Sequence, residues 1–212
     1  MTGEMTKQAG FWDKMADKYN ARPVADEEIY QKKLQLTQAF LTKEMKVLEF
    51  GCGTGSTAIH HAPYVKHILA TDVSDGMLAH GRRKAAAAGL SNISFERHSI
   101  EDFPEHGETF DVVLGLNILH LCREPHSVVQ KVRRLLKPGG LFVQSTPCLK
   151  DFGVMIKLFI PVMQAIGKAP PVSYFSSDEL HRMMDAEGFH TVEEYLPDGN
   201  NADFIIAQRG LD

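Results

Sequence analysis

Cysteine is scarce in this sequence. Its 212 residues carry three, Cys52, Cys122 and Cys148, widely spaced and without a CxxC. An odd, scattered count excludes a disulfide framework and offers no zinc-ligand spacing. The expectation is reduced thiols in a cytoplasmic protein. Long apolar runs are missing too. None reaches the roughly 18 residues of a membrane span, so no integral membrane association is expected. The opening stretch MTGEMTKQAGFWDKMADKYN has no apolar core of signal-peptide length. Long basic stretches are absent and the net charge is -4, which sets nucleic acid aside as a partner. There is no HExxH or comparable histidine spacing, and the adjacent His60 and His61 would point apart on a helix, so no metal is expected.

What is present is ordinary for a globular chain: 43% hydrophobic and 24% charged residues. The length favours one domain with an added cap. Residues from about 10 to 45 read as amphipathic helix, interrupted near Pro23. The period then changes. KVLEF (46–50), HILATD (67–72), ISFER (93–97), FDVVLGL (110–116) and LFVQSTP (141–147) read as short apolar strands. Between them lie helical patterns. One starts at Ser74, a suitable N-cap, and stops at Gly89. Another carries Lys131, Arg133, Arg134 and Lys137 toward its end and stops at Pro138-Gly139-Gly140.

Strands alternating with helices at this spacing predict an α/β fold with a parallel sheet buried on both faces. Near the end, FSSDELHRMMDAEGF reads as a helix capped by Ser176 or Ser177. HTVEEYL and ADFIIAQR follow as strands, with PDGN between them as a turn. They form an antiparallel hairpin, so the sheet is mixed. Ligands in such sheets bind beyond the carboxyl ends of the strands. That rule selects 51–55, 72–74, 98–101, 117–120 and the residues from 147 onward.

The stretch VLEFGCGTG (47–55) is the strongest local signal. A buried strand turns abruptly into alternating glycines, which lets the backbone pass close to a ligand. A dinucleotide fingerprint needs GxGxxG with an acid about twenty residues on. Gly51, Gly53 and Asp72 fit, but Ser56 stands at the third glycine position. A nicotinamide-dependent oxidoreductase therefore stays open on these features. Glu49 leans the other way. A carboxylate inside the strand before the loop suits an ammonium better than a pyrophosphate. A ligand with a ribose, an ammonium and no phosphate would use all these parts, and S-adenosylmethionine is such a ligand.

Five segments in order resemble the motifs of class I S-adenosylmethionine-dependent methyltransferases, of the small-molecule branch that includes ubiquinone and menaquinone biosynthesis enzymes. They are VLEFGCGTG, ATDVSDGML, HSIEDFP, FDVVLGLNILHL and LLKPGG with the strand LFVQST, over about residues 45 to 147. The resemblance implies a Rossmann-like three-layer sandwich with a mostly parallel seven-stranded sheet and an antiparallel C-terminal hairpin strand. It divides the chain into a helical cap (1–45), a cofactor-binding core (46–147), a substrate lid (148–175) and a C-terminal helix and hairpin (176–212).

The resemblance also assigns residues. Gly51, Cys52 and Gly53 would approach the methionine part of the cofactor, with Glu49 and Asn117 beside it. Asp72 would hold both ribose hydroxyls. Val73, Met77 and Ile100 would pack on the adenine. Ser99 stands where relatives carry an acid that contacts the adenine amino group; Glu101 or Asp102 would be the nearby acid that compensates. Tyr19 resembles a tyrosine that closes over the cofactor. Methyl transfer to a small-molecule acceptor would leave S-adenosylhomocysteine as product. His120 is the candidate base, against the alternative of a structural histidine. The apolar stretch 152–167 reads as a pocket lining for an apolar acceptor, a homodimer contact or a membrane contact. A non-catalytic protein that binds S-adenosylmethionine or S-adenosylhomocysteine is the remaining alternative.

Overall fold

The computed structural model describes residues 3–105, 109–197 and 202–211. Helices α1 (Gly3–Asn20) and α2 (Glu27–Gln38) come first. The strands then follow as β1 (Lys46–Phe50), β2 (His67–Asp72), β3 (Ile93–Arg97), β4 (Phe110–Leu116) and β5 (Leu136–Pro147), with β6 (Phe189–Tyr195) and β7 (Ala202–Arg209) at the end. Between them run α3 (Ser56–His61), α4 (Asp75–Ala87), α5 (Pro125–Leu135), α6 (Val154–Ala165) and α7 (Ser177–Ala186). All seven strands form one sheet in the order β3-β2-β1-β4-β5-β7-β6. The pairs from β3 to β5 are parallel. β7 runs antiparallel between β5 and β6, as the hairpin reading requires. The PDGN turn between β6 and β7 lies outside the described residues beyond Pro197.

Alternation along the strands builds two cores, one on each face. Leu48 and Phe50 of β1 join α5 and α7 through Val129, Val132 and Leu180. Val47 points the other way, into a cluster with Ala58 of α3 and Leu78 of α4. A sheet covered on both faces explains why its strands read as continuous apolar runs. Helix signals are honoured locally. Ser74 accepts the Met77 N–H and caps α4, and Ser176 forms a capping box with Glu179 on α7.

One sequence expectation needs correction. The KPGG stretch was read as the stop that follows α5. Instead α5 ends at Leu135, and β5 runs straight through it from Leu136. Phe110 pairs with Leu136 and Val112 with Leu141, so the glycines form a bulge inside the strand. A Cβ at Gly140 would sit 3.0 Å from the Asp111 carbonyl oxygen, which is why a glycine belongs there. Pro161 lies inside α6, which continues through it as one element.

Candidate active site

The sheet order reverses between β1 and β4, and a crevice opens there at the carboxyl ends of the strands. It is a cavity of about 680 Å³. It runs along the strand ends from His98 after β3 to Ala202 at the start of β7, and residues of α1 and α2 face it from the other side.

The glycine loop forms the cavity's centre. Gly51, Gly53 and Gly55 all have positive φ, +63°, +53° and +73°. Only the second is open toward the ligand space: a Cβ on Gly53 would meet nothing nearer than Tyr19, at 3.8 Å. A Cβ on Gly51 would lie 2.5 Å from Ile118, and one on Gly55 2.7 Å from Phe95. Gly51, expected to make room for a ligand, lines the cavity, and its missing Cβ also makes room for Ile118. The loop is held from three sides. The Cys52 N–H donates to the Thr71 carbonyl, and the Gly53 N–H donates to Asp72 Oδ2 at 2.9 Å. Lys84 reaches from α4 to donate to Thr54 Oγ1 and Ser56 Oγ at 2.9 and 3.0 Å. Burial pushes the Cys52 thiol well above its ordinary range, so it is a neutral wall rather than a nucleophile.

Two carboxyls stand behind this loop. Asp72 accepts the Gly53 N–H on one oxygen and the Ser74 N–H on the other, each at 2.9 Å. Each oxygen keeps a second lone pair for a ligand hydroxyl. Burial raises its pKa, and the N–H groups of Ser74, Gly53 and Val73 oppose that rise. Glu49 is 3% exposed, and its Oε2 has no hydrogen-bond partner. Burial, then the charge of Asp72, pushes its carboxyl up to about 8, against the Ala58 N–H that pulls it down. A buried carboxyl with an orphaned oxygen is costly unless something pairs with it. A ligand ammonium would ionise that carboxyl and pair with it; a pyrophosphate would oppose its ionisation and leave the oxygen unpaired.

The other sequence candidates gather here. Val73, Met77, Ile100 and Glu101 line the cavity. So does Ser99, whose hydroxyl accepts the Asp102 N–H at 3.1 Å and closes the turn after β3. Asn117 is the non-glycine residue with positive φ, +55°, at the point where β4 gives way to the crevice. Tyr19 faces the same space from α1. Burial and the charges of Asp72 and Glu49 raise its hydroxyl pKa.

His120 is not among the cavity-lining residues. Its Nδ1 meets Thr146 Oγ1 at 3.2 Å inside a single 3-10 turn, Leu119–Leu121. Burial takes its pKa down to about 4, so it is a neutral, inward-facing ring. The stretch 152–167, read as a pocket lining, a homodimer contact or a membrane contact, stands apart from the cavity as well. No residue of α6 lines the cavity and none is buried; Met155 is 79% exposed and Leu158 64%. Sequence reading missed Trp12, Lys33 and Lys84, all of which face the cavity. A helical lysine carries no mark that separates it from a solvated one.

Among the described residues no cluster of His, Cys, Asp and Glu could hold a metal ion, and no helix is long and apolar enough to cross a membrane. Residues 47–140 match the family described as "Methyltransferase domain". The chain is 33% identical over 102 residues to the ubiquinone biosynthesis O-methyltransferase of Ruegeria pomeroyi, covering 48% of this chain and 41% of that protein. It is 27% identical over 128 residues to the uncharacterized methyltransferase YcgJ of Bacillus subtilis, covering 58% and 51%. The chain thus spans about half the length of these curated relatives. The crystal structure of YcgJ superposes with a TM-score of 0.67 at 17% identity, over 84% of this chain and 96% of that one. The [4+2]-cyclase SpnF superposes with a TM-score of 0.71 at 16% identity, over 85% and 81%, which speaks to the fold alone. Residues 47–140 thus match a methyltransferase domain, and the strand order and superposition show that the chain shares the fold of YcgJ.

Proposed function

We propose that the chain transfers a methyl group from S-adenosylmethionine to a small, apolar molecule by in-line displacement. The observation that carries this reading is the orphaned, buried oxygen of Glu49 beside the open glycine Gly53 and the ribose-competent Asp72. That set suits a nucleoside with an ammonium and without phosphate. A nicotinamide dinucleotide would bring its pyrophosphate against Glu49, and that reading falls behind.

When bound, S-adenosylmethionine supplies an electrophilic methyl on a sulfonium and leaves as S-adenosylhomocysteine. The protein's part is placement. Asp72 takes the ribose hydroxyls and Glu49 the ammonium. Gly53 lets the loop backbone come close, with Cys52 and Asn117 beside it. Val73, Met77 and Ile100 clasp the adenine, with Ser99 and Glu101 at its polar edge. Tyr19 covers the ligand from α1. Alignment of this kind supplies several kcal/mol or more of the barrier reduction without a fixed base. His120, turned onto Thr146, is assigned a structural role.

In this reading residues 1–45 are a cap over the cofactor and 46–147 the core that holds it. The three buried, unpaired thiols fit action in the cytoplasm. The test is methyl-labelled S-adenosylmethionine with a panel of small apolar acceptors. Label recovered in an organic extract, and lost when Asp72 is replaced by Ala, is the expected result. Binding of S-adenosylhomocysteine with no labelled product from any acceptor would favour the non-catalytic binding protein.

A further inference from the structure

The cavity has a second end that the cofactor reading leaves unused. On β4, β5 and β7 the side chains of Leu116, Pro147 and Ala202 line it, an apolar wall at the carboxyl edge. Leu116 pairs with Ser145, and Pro147 pairs with Ala202, so these groups form one patch on one face of the sheet. Into this patch α2 sends a single cation. Lys33 Nζ donates to Ser145 Oγ at 2.9 Å and lies 5.8 Å from the centre of the Phe204 ring. Among the described residues no carboxylate is within ion-pair distance of it. The amine, with three donors, thus has a neutral hydroxyl for a partner. Ser145 stands two strands from Glu49 in the order β1-β4-β5. At roughly 4.8 Å per strand that separates the two ends by about 10 Å.

We propose that Lys33 is the acceptor-recognition residue, and that the acceptor presents an anionic oxygen, a carboxylate or a phenolate, on an apolar frame. The inference rests on the methyltransferase reading and names its substrate class. A half-buried ammonium without a carboxylate gains from an arriving anion and rejects an arriving ammonium. Burial lowers the Lys33 pKa while the Asp203 charge partly restores it, which fits a cation kept short of a full partner.

The chemistry closes without a base. An oxygen already deprotonated has no proton to lose, so the inward turn of His120 costs nothing. One oxygen lone pair forms the new O–CH₃ bond. The C–S bond of the sulfonium breaks, and its electron pair stays on sulfur. The anion and the sulfonium become two neutral products, and the methylated acceptor no longer has a charge for Lys33 to hold.

Trp12, the chain's one tryptophan, lines the same cavity and reports on its occupancy. The experiment follows Trp12 fluorescence in the protein saturated with S-adenosylhomocysteine, titrated with 4-hexylbenzoate, 4-hexylphenol and 4-hexylbenzylammonium. Wild type, Lys33→Met and Lys33→Arg are compared. The expected result is that one or both oxygen acids bind at least about 10-fold more tightly than the ammonium. The benzoate is already an anion; the phenol is neutral near pH 7 and reports a phenolate acceptor only where its binding releases a proton to the buffer. Lys33→Met should abolish the preference and Lys33→Arg should keep it, with S-adenosylhomocysteine affinity equal in all three. Equal or tighter binding of the ammonium, no binding of any probe, or a preference that survives Lys33→Met overturns the inference. Failure of S-adenosylhomocysteine itself to bind would instead sink the methyltransferase reading beneath it.

Discussion

The two ends of the cavity are built in opposite ways. At one end Glu49 and Asp72 are carried on adjacent parallel strands, and the loop between them is fixed by backbone N–H groups. The two carboxyls there are preformed and buried, and one Glu49 oxygen waits for a partner. At the other end the charge is positive and comes from Lys33, on helix α2, whose Nζ meets the sheet at Ser145 Oγ and the Phe204 ring. A rigid, acidic end suits the ligand that every turnover shares. A cationic end mounted on a cap helix suits the ligand that sets specificity. The difference separates cofactor binding from acceptor choice, and each end can be broken without the other.

The largest effect is expected at the rigid end. Asp72→Ala removes the groups proposed to hold the ribose diol and also frees the Gly53 and Ser74 N–H groups. S-adenosylhomocysteine affinity should fall by about 100-fold or more, as measured by calorimetric titration, since hydrogen bonds to a charged group contribute about 1.5–3 kcal/mol each. A loss of less than tenfold would contradict the role given to Asp72. The glycines sharpen the same point. Gly53→Ala should weaken cofactor binding with a small change in melting temperature. Gly51→Ala should lower the melting temperature, because its Cβ would run into Ile118. The reverse pattern would exchange their assigned roles.

Glu49 and His61 give pH effects of opposite sign. Glu49 has a folded pKa of about 8, raised from the usual carboxylate value near 4.5. Its contribution to stability is full below 4.5 and is lost as pH rises through 8. Pairing with an ammonium would ionise it, so S-adenosylhomocysteine binding at pH 7 should release a proton. Titration in two buffers of different ionisation heat would read that proton, and Glu49→Gln should abolish the difference. His61, buried away from the cavity and without a hydrogen-bond partner at either ring nitrogen, has a folded pKa near 4. Its contribution is full above the ordinary 6.5 and is lost as pH falls toward 4. Melting of His61→Leu against wild type should show that acid-side loss only in the wild type, with cofactor binding untouched.

The smallest effect is expected on α6. Leu158→Ser with Phe159→Ser changes exposed side chains that line no cavity, so stability should move by about 0.5 kcal/mol or less and S-adenosylhomocysteine binding should not change. A large loss of binding would place α6 at the site after all.

The same contrast explains what the sequence could disclose. Glu49, Gly53 and Asp72 lie in two short segments, each a strand with its following turn, so local pattern reaches them. The strands β1 to β4 are legible for the same reason, with bounds set by apolar runs and glycines. Lys33 meets Ser145 across 112 positions of chain. Only the path of α2 over the sheet brings them together, and no local signal records that path. His120 is the opposite case: its position in the sequence suits a base, and it is not among the cavity-lining residues. It sits where a base would be sought, but one 3-10 turn aims its ring at Thr146. α6 shows the limit of composition. An apolar helix after β5 suits a pocket wall, a dimer contact or a membrane contact alike; none of its residues is buried and none lines the cavity.

The most direct measurement is thermal melting of the purified chain with S-adenosylmethionine, S-adenosylhomocysteine, NAD and NADP in parallel. A ligand at about 100 times its dissociation constant adds about 2.7 kcal/mol, a shift of several degrees for a chain of this size. The account predicts stabilisation by the two adenosyl compounds and none by the dinucleotides. Stabilisation by NAD or NADP alone would mean that the glycine loop holds a phosphate beside Glu49, and the methyltransferase reading would be wrong.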